Sequence, residues 1–260
     1  MIKQNGVLYD VTEADLELLE TNPNEFWEGV TEIGAEAFHG LKNLKVIDVP
    51  AGVTKIGARA FKNCSDLVLA RFPEGVEELG EWGFENCYSL KYVNLPEGIA
   101  ELPDAFFFGC VSLERVKLPQ SLKKINKYAF YNCRNLKHLH MQNNVTEVGM
   151  FFCSGCTKLQ VLTLSRELKE LPPFGIQNCV SLKSFGIPTK TTTISKNFAD
   201  GCKRLKEVDL LVYCGEAYGQ LDKNIVKQMK SGELKANLVR DENENIVLDC
   251  YPKHIVGKSL

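Results

Sequence analysis

Seven cysteines recur at one spacing along this chain: Cys64, Cys87, Cys110, Cys133, Cys156, Cys179 and Cys202 each stand 23 residues from the next. A period that regular means one supersecondary unit copied and stacked, so that each copy contacts mainly its neighbours and the core runs as a continuous column. A chain of 260 residues built this way need not divide into globular domains, because its core grows by stacking. The period therefore predicts a single solenoid.

Aligned at 23 residues, the chain gives eight copies from about Val30 onward, of the form V-x-x-I-x-x-x-A-F-x-(N/G)-C-x-x-L-x-x-V-x-L-P. The leucine column is invariant from Leu44 to Leu205. The apolar positions three and five residues after it, such as Val93 with Leu95 and Val116 with Leu118, alternate with polar ones. That is the period-2 signal of a short strand with one buried face. Proline follows at Pro50, Pro73, Pro96, Pro119 and Pro188, where its missing N–H stops the pairing and starts a turn. A second apolar pair, for example Val53 with Ile56 and Leu122 with Ile125, closes the other side of the coil.

The residue before the cysteine column is always Gly or Asn: Gly40, Asn63, Asn86, Gly109, Asn132, Gly155, Asn178 and Gly201. These two types accept a positive φ most readily, which predicts a left-handed residue ending a short helical turn built around Ala-Phe. The cysteines read as small buried hydrophobes, and the first copy carries Leu41 in their place. In later copies Ala-Phe becomes Phe152-Cys153 and Phe198-Ala199, so bulk moves by one position while total volume is roughly kept.

From Leu44 to Cys64 the pattern L-x-x-V-x-L-P, then V-x-x-I-G, then A-F-x-x-C resembles the BspA-like leucine-rich repeat family, also called the Treponema-type repeat, over about residues 30–210. Asn5-Gly6-Val7-Leu8 is similar to that family's N-terminal lead-in. The resemblance implies an α/β repeat: a leucine-rich-repeat solenoid of about eight 23-residue coils, with a concave parallel β-sheet and short helical turns on the convex side. It further implies recognition or adhesion, usually at bacterial cell surfaces, with an adhesin-like binder of carbohydrate or surface matrix as the alternative to a protein-binding scaffold.

Residues 1–29 read as an N-terminal cap in which Thr12 starts a helix, Asp15 sits three positions on, and Leu16 and Leu19 give one apolar face. The period is lost after Leu210. Residues 211–260 carry an expected helix at about Asp222 to Met229 and a charged turn, Asp241 to Asn245, between strands ending at Leu238-Val239 and Ile246-Val247-Leu248. They read as a C-terminal cap in preference to a separate module.

Net charge is -2, but seven acidic residues and one basic lie in residues 1–29, which leaves the remainder at about +4, too weak to point to nucleic acid. The first ten residues lack the apolar run of a signal peptide, and no stretch approaches the length of a membrane span. Ten cysteines in a long periodic chain suggest free thiols and a reducing compartment. The expectation is a cytoplasmic protein as the sequence stands, or a surface or secreted one if a signal segment was removed.

The residues announce no reaction. Cys153-x-x-Cys156 is the only CxxC; zinc would need two more ligands, and both positions fall in core columns, so packed thiols are the preferred reading. Neighbouring coils hold their side chains about 4.8 Å apart, wider than a disulfide's Cβ separation of about 3.8 Å, which argues against a disulfide ladder. Val256-Gly257-Lys258-Ser259 lacks the glycine, strand and helix of a phosphate loop, and Asn144-Val145-Thr146 is a glycosylation pattern of low specificity. No nucleophile-base set can be assembled. Neither an enzyme, a cofactor nor a metal is predicted.

The outward positions of the strands carry more information, because in a solenoid they form an ordered grid. In the middle coils they place Arg71, Tyr92, Asn94, Arg115, Lys117, His138 and His140 together as a basic and aromatic patch, with acidic residues at both ends of the grid. Tyr and Arg often anchor interfaces. The patch predicts a protein partner presenting an acidic segment, or an anionic glycan, and the two histidines would make binding favour lower pH. A second group, Trp82, Phe106, Tyr128, Phe151, Phe152 and Phe174, reads mainly as packing between coils on the convex side.

Overall fold

The computed structural model describes residues 1–205 except 189, 192 and 196, together with the strands Glu207–Leu210, Gly219–Gln220, Ala236–Arg240 and Ile246–Asp249. The alternating columns form a row of parallel strands running Val46–Asp48, Leu69–Arg71, Tyr92–Asn94, Arg115–Lys117, His138–His140, Val161–Thr163, Ser184–Ile187 and Glu207–Leu210. Partners are 23 residues apart, as in Val116 opposite Val93 and Val93 opposite Ala70. Eight strands leave seven full turns between the first and the last. A second parallel row of two-residue strands, from Glu32–Ile33 to Thr193–Ile194, runs down another side of the coil, paired at the same offset.

Between these two rows lies one column of core. Ile47, Ala70, Leu139 and the leucines from Leu67 to Leu182 are fully buried, and Val53, Val76 and Leu122 are buried from the second row. The prolines end the strands as expected, and their carbonyls accept the turn bonds, Val53 N–H to Pro50 and Leu122 N–H to Pro119 among them.

The convex side consists of single turns closed by bonds three residues back, such as Cys64 N–H to the Phe61 carbonyl and Cys110 N–H to Phe107. Among the described residues these turns do not extend into helices; helix is confined to the N-terminal cap. All eight Gly/Asn positions have positive φ, from 58° at Asn86, Asn132 and Asn178 to 76° at Gly40. The two types also alternate to fit: the Asn86, Asn132 and Asn178 amides lie where a Cβ would stand on Gly109, Gly155 and Gly201.

A second left-handed column, not foreseen, runs through Glu36, Arg59, Trp82, Ala105, Tyr128, Phe151, Phe174 and Asn197. Its cause is the stacking itself. In this conformation Trp82 N–H reaches the Asp104 carbonyl at 2.9 Å and Ala105 N–H reaches Lys127 at 2.9 Å, so each turn donates to the next and buried backbone groups are satisfied.

The phenylalanines of the Ala-Phe column form a spine, with ring centroids of Phe38, Phe61, Phe84, Phe107 and Phe130 5.0–5.8 Å apart and nearly parallel. The shift of bulk in later coils is confirmed. Phe106, Phe152 and Phe198 are fully buried one position earlier, and glycine at Gly83 and Gly175 makes room, because a Cβ there would overlap the rings of Phe106 and Phe198.

All eight described cysteines are free and buried. The column has a second role beyond filling space. Each thiol at the 23-residue spacing donates to a carbonyl 26 residues back, Cys64 to Phe38 and Cys110 to Phe84 at 3.0 Å, continuing to Cys202 with Ile176 at 3.1 Å. Burial pushes the Cys64 thiol up to about 12 and raises those of Cys87, Cys110 and Cys133 as well, so these four remain protonated donors.

At the N-terminal end, Asn5 and Gly6 form a positive-φ turn between antiparallel strands Ile2–Gln4 and Val7–Tyr9, and the latter pairs with Glu32–Ile33. Thr12 N–H and Oγ1 both donate to the Asp15 carboxylate at 2.8 and 2.7 Å, opening the helical segment that continues as Leu16–Thr21. A further short helix, Pro23–Phe26, delivers Phe26 and Trp27 onto Phe38, where they cover the first ring of the spine.

At the other end, Ala236–Arg240 and Ile246–Asp249 pair antiparallel, and the first of them lies antiparallel against Thr193–Ile194. That covers a strand edge otherwise open to pairing with another chain. The turn expected at 241–245 and the helix expected at 222–229 lie outside the described residues.

Candidate interaction face

The pleat sends the two residues flanking each buried strand position outward. In the hydrogen-bonded strands Val46–Asp48 to Arg115–Lys117, this makes two straight rows across the concave face. One row is Val46, Leu69, Tyr92 and Arg115; the other is Asp48, Arg71, Asn94 and Lys117. The strands are held by their inward centres, buried at Ile47, Ala70 and Val93 and half-buried at Val116, so the outward groups stand on an ordered grid.

Tyr92, Asn94, Arg115 and Lys117 are exposed neighbours on this grid. Arg71 is exposed as well, but its Nη1 lies 2.7 Å from Asp48 Oδ1. Its charge is thereby largely cancelled by the preceding coil. Arg115 and Lys117 have no carboxylate within ion-pair distance among the described residues. They are the net positive centre of the face.

His138 and His140 lie on the next strand, which is bonded to Val161–Thr163 and separated from Arg115–Lys117 by a break in the ladder. Their rings are parallel, with centroids 6.2 Å apart, and His140 Nδ1 is 2.9 Å from Thr163 Oγ1. The patch therefore comprises five residues on one continuous sheet and two across its interruption. Among the described residues, no group of three or more His, Cys, Asp or Glu side chains is arranged to hold a metal.

Two apolar features adjoin the charged centre. Val46 is 44% exposed and Tyr92 46%, with Leu69 between them, so the first row starts as an apolar strip and ends at Arg115. Beyond Val46 the cap helix leaves a cavity of about 310 Å³ lined by Leu16, Leu19, Pro23, Leu44 and Val46, with Glu20, Lys45 and Asp48 at its polar side. The strip was readable as a break in the polar alternation at Val46 and Leu69. The cavity was not, because it depends on where the helix settles.

On the convex side the expected aromatic group divides. Phe106 and Phe152 are core. Trp82, Tyr128, Phe151 and Phe174 are half-buried and are joined by Phe108 and Tyr131 into a belt of ring contacts, with Tyr128, Phe151 and Phe174 stacked at 5.1 and 4.9 Å. The rings cover one another's faces, which is packing between coils. No described helix is long and apolar enough to cross a membrane.

Residues 31–152 and 123–216 match the BspA type Leucine rich repeat region, in six copies. Among proteins with curated descriptions, none matches the chain. Among solved structures, the chain is similar to the leucine-rich repeat protein of T. pallidum, at 28% identity and a TM-score of 0.60, over 67% of this chain and 82% of that one. It is also similar to a leucine-rich repeat protein from Bacteroides ovatus, at 27% identity and a TM-score of 0.52, over 69% of this chain. This chain spans only 58% of the Bacteroides protein's length. The pneumococcal vaccine antigen PcpA shares the fold, with a TM-score of 0.56 at 23% identity over 79% of this chain and 58% of that one.

Proposed function

Because this chain belongs to the BspA-type leucine-rich repeat family, we propose that it is a non-enzymatic scaffold that holds a protein partner on its concave face. The central contacts are Tyr92, Asn94, Arg115 and Lys117, with Arg71, His138 and His140 at the flanks. The observation that carries this reading is the pair Arg115 and Lys117, exposed cations without an ion-pair partner among the described residues, at the end of an apolar strip. A surface required only to be soluble gains nothing from that juxtaposition, whereas aromatic and arginine side chains beside apolar area are what interfaces use as anchors. The complementary ligand is an extended protein segment with acidic residues opposite Arg115 and Lys117 and an apolar residue opposite Val46.

The test is a selection of ligands from a random peptide library against the purified protein, followed by affinity measurement on variants. Selected ligands should be acidic, and Arg115→Ala with Lys117→Ala should weaken them about tenfold, or about 1.4 kcal/mol. Unchanged affinity would remove the patch from the binding surface. Strong glycan-array signals with no acidic peptide selected would replace this reading with carbohydrate recognition.

A further inference from the structure

The sixth coil departs from the repeat at one buried position. The column filled by Phe38, Phe61, Phe84, Phe107 and Phe130 is taken there by Cys153. Volume alone does not demand sulfur, since the next two coils use Ile176 and Ala199 at the same place. The exchange puts a second thiol against the cysteine column: Cys153 Sγ lies 3.2 Å from Cys156 Sγ, and both are fully buried. Every other described cysteine gives its hydrogen to a backbone carbonyl, including Cys156 to Phe130 and Cys179 to Cys153. Cys153 is the one whose hydrogen is directed at sulfur.

We propose that Cys153 and Cys156 form an oxidative modification site, a reversible intracoil disulfide made by a small two-electron oxidant of the hydrogen peroxide class. The two sulfurs are already closer than ordinary van der Waals contact and need approach by only about 1.1 Å to reach the bond length of about 2.05 Å. The column thiols donate to separate carbonyls, which makes this pair the expected site of oxidation.

The chemistry balances without a further reactant. Peroxide takes one thiol to a sulfenic acid, breaking its O–O bond and releasing a water. The second sulfur then attacks the sulfenic sulfur, the S–O bond breaks, and the departing oxygen takes the second thiol's proton as another water. Two thiols and one peroxide thus give one disulfide and two waters. Because both reacting sulfurs are buried, the oxidant must be water-sized, and bulky disulfide reagents should react slowly with the folded chain.

The test treats the reduced, folded full-length protein with hydrogen peroxide, blocks the remaining thiols by alkylation, and maps the cysteines by mass spectrometry. The expected product lacks two hydrogens, contains a Cys153–Cys156 linkage, and regains both thiols on reduction. Cys153→Ala, the residue already used at position 199, should keep the circular-dichroism spectrum and yield no linked product. Cys179→Ala should still form the Cys153–Cys156 linkage. A linkage between other cysteines, or intact Cys153 and Cys156 thiols under peroxide that oxidises the urea-unfolded chain, would overturn the proposal.

Discussion

Replacing Asn132 by valine should destabilise the solenoid by about 2 kcal/mol, because a left-handed backbone costs an L-residue about 1–2 kcal/mol and a β-branched one is at the unfavourable extreme. Asn132 holds φ at 58° while its N–H reaches the Ser154 carbonyl at 2.8 Å, so the backbone cannot relax without breaking contact with the next coil. Asn132→Gly removes the strain and should stay within about 0.5 kcal/mol of the parent. Gly155→Ala adds two penalties: a positive φ of 75° and a methyl overlapping the Asn132 amide. In the Asn132→Gly background only the first remains, so the double variant should recover about 1 kcal/mol relative to additivity, within the usual range for touching residues. Urea unfolding followed by circular dichroism reads all four proteins. Asn132→Val within about 0.5 kcal/mol of the parent, or strictly additive effects, would refute the claim that this column's backbone is imposed by the stack.

The spine predicts that Phe107→Ala, which removes a buried ring stacked between Phe84 and Phe130, costs about 3–5 kcal/mol in the same assay. The cap predicts that Asp15→Ala, which deprives Thr12 N–H and Oγ1 of their acceptor, costs about 0.5–2 kcal/mol. The exposed Asp48–Arg71 pair predicts a change in stability under about 1 kcal/mol on Asp48→Asn. The same substitution frees Arg71 and should tighten an acidic peptide, measured by calorimetric titration; weaker binding would show that Asp48 itself contacts the ligand.

Much of the coil was legible because each column obeys a local rule. Alternation at Val93 and Leu95 marked the buried face, proline marked the strand ends, and Gly or Asn before the cysteines marked a positive φ. Other features came from contacts between coils that no single copy displays. Aromatic residues are among the last expected at positive φ, so Trp82, Tyr128, Phe151 and Phe174 gave no hint of the second left-handed column. Phe106 and Phe152 share a column that, apart from Phe198, otherwise holds Ala or Gly; the space they fill is opened by Gly83 and Gly175 in adjacent coils.

The candidate face was legible to the same degree. Outward positions followed from the pleat, and that placed Tyr92, Arg115 and Lys117 correctly as neighbours. The ladder break before His138 did not follow, because hydrogen-bond continuity depends on small shifts between coils. Cancellation of Arg71 by Asp48 could have been read from the row itself, where the two stand one period apart.

The central claim is that one face of the stack, and not its flanks, performs recognition. The direct measurement compares a selected acidic peptide's affinity for two double charge reversals, Arg115→Glu with Lys117→Glu on the concave strands and Lys55→Glu with Lys124→Glu on the lateral strands. The concave pair should abolish measurable binding while the lateral pair leaves affinity within about twofold of the parent, equivalent to about 0.4 kcal/mol. Equal losses from both pairs, or loss from the lateral pair alone, would contradict it.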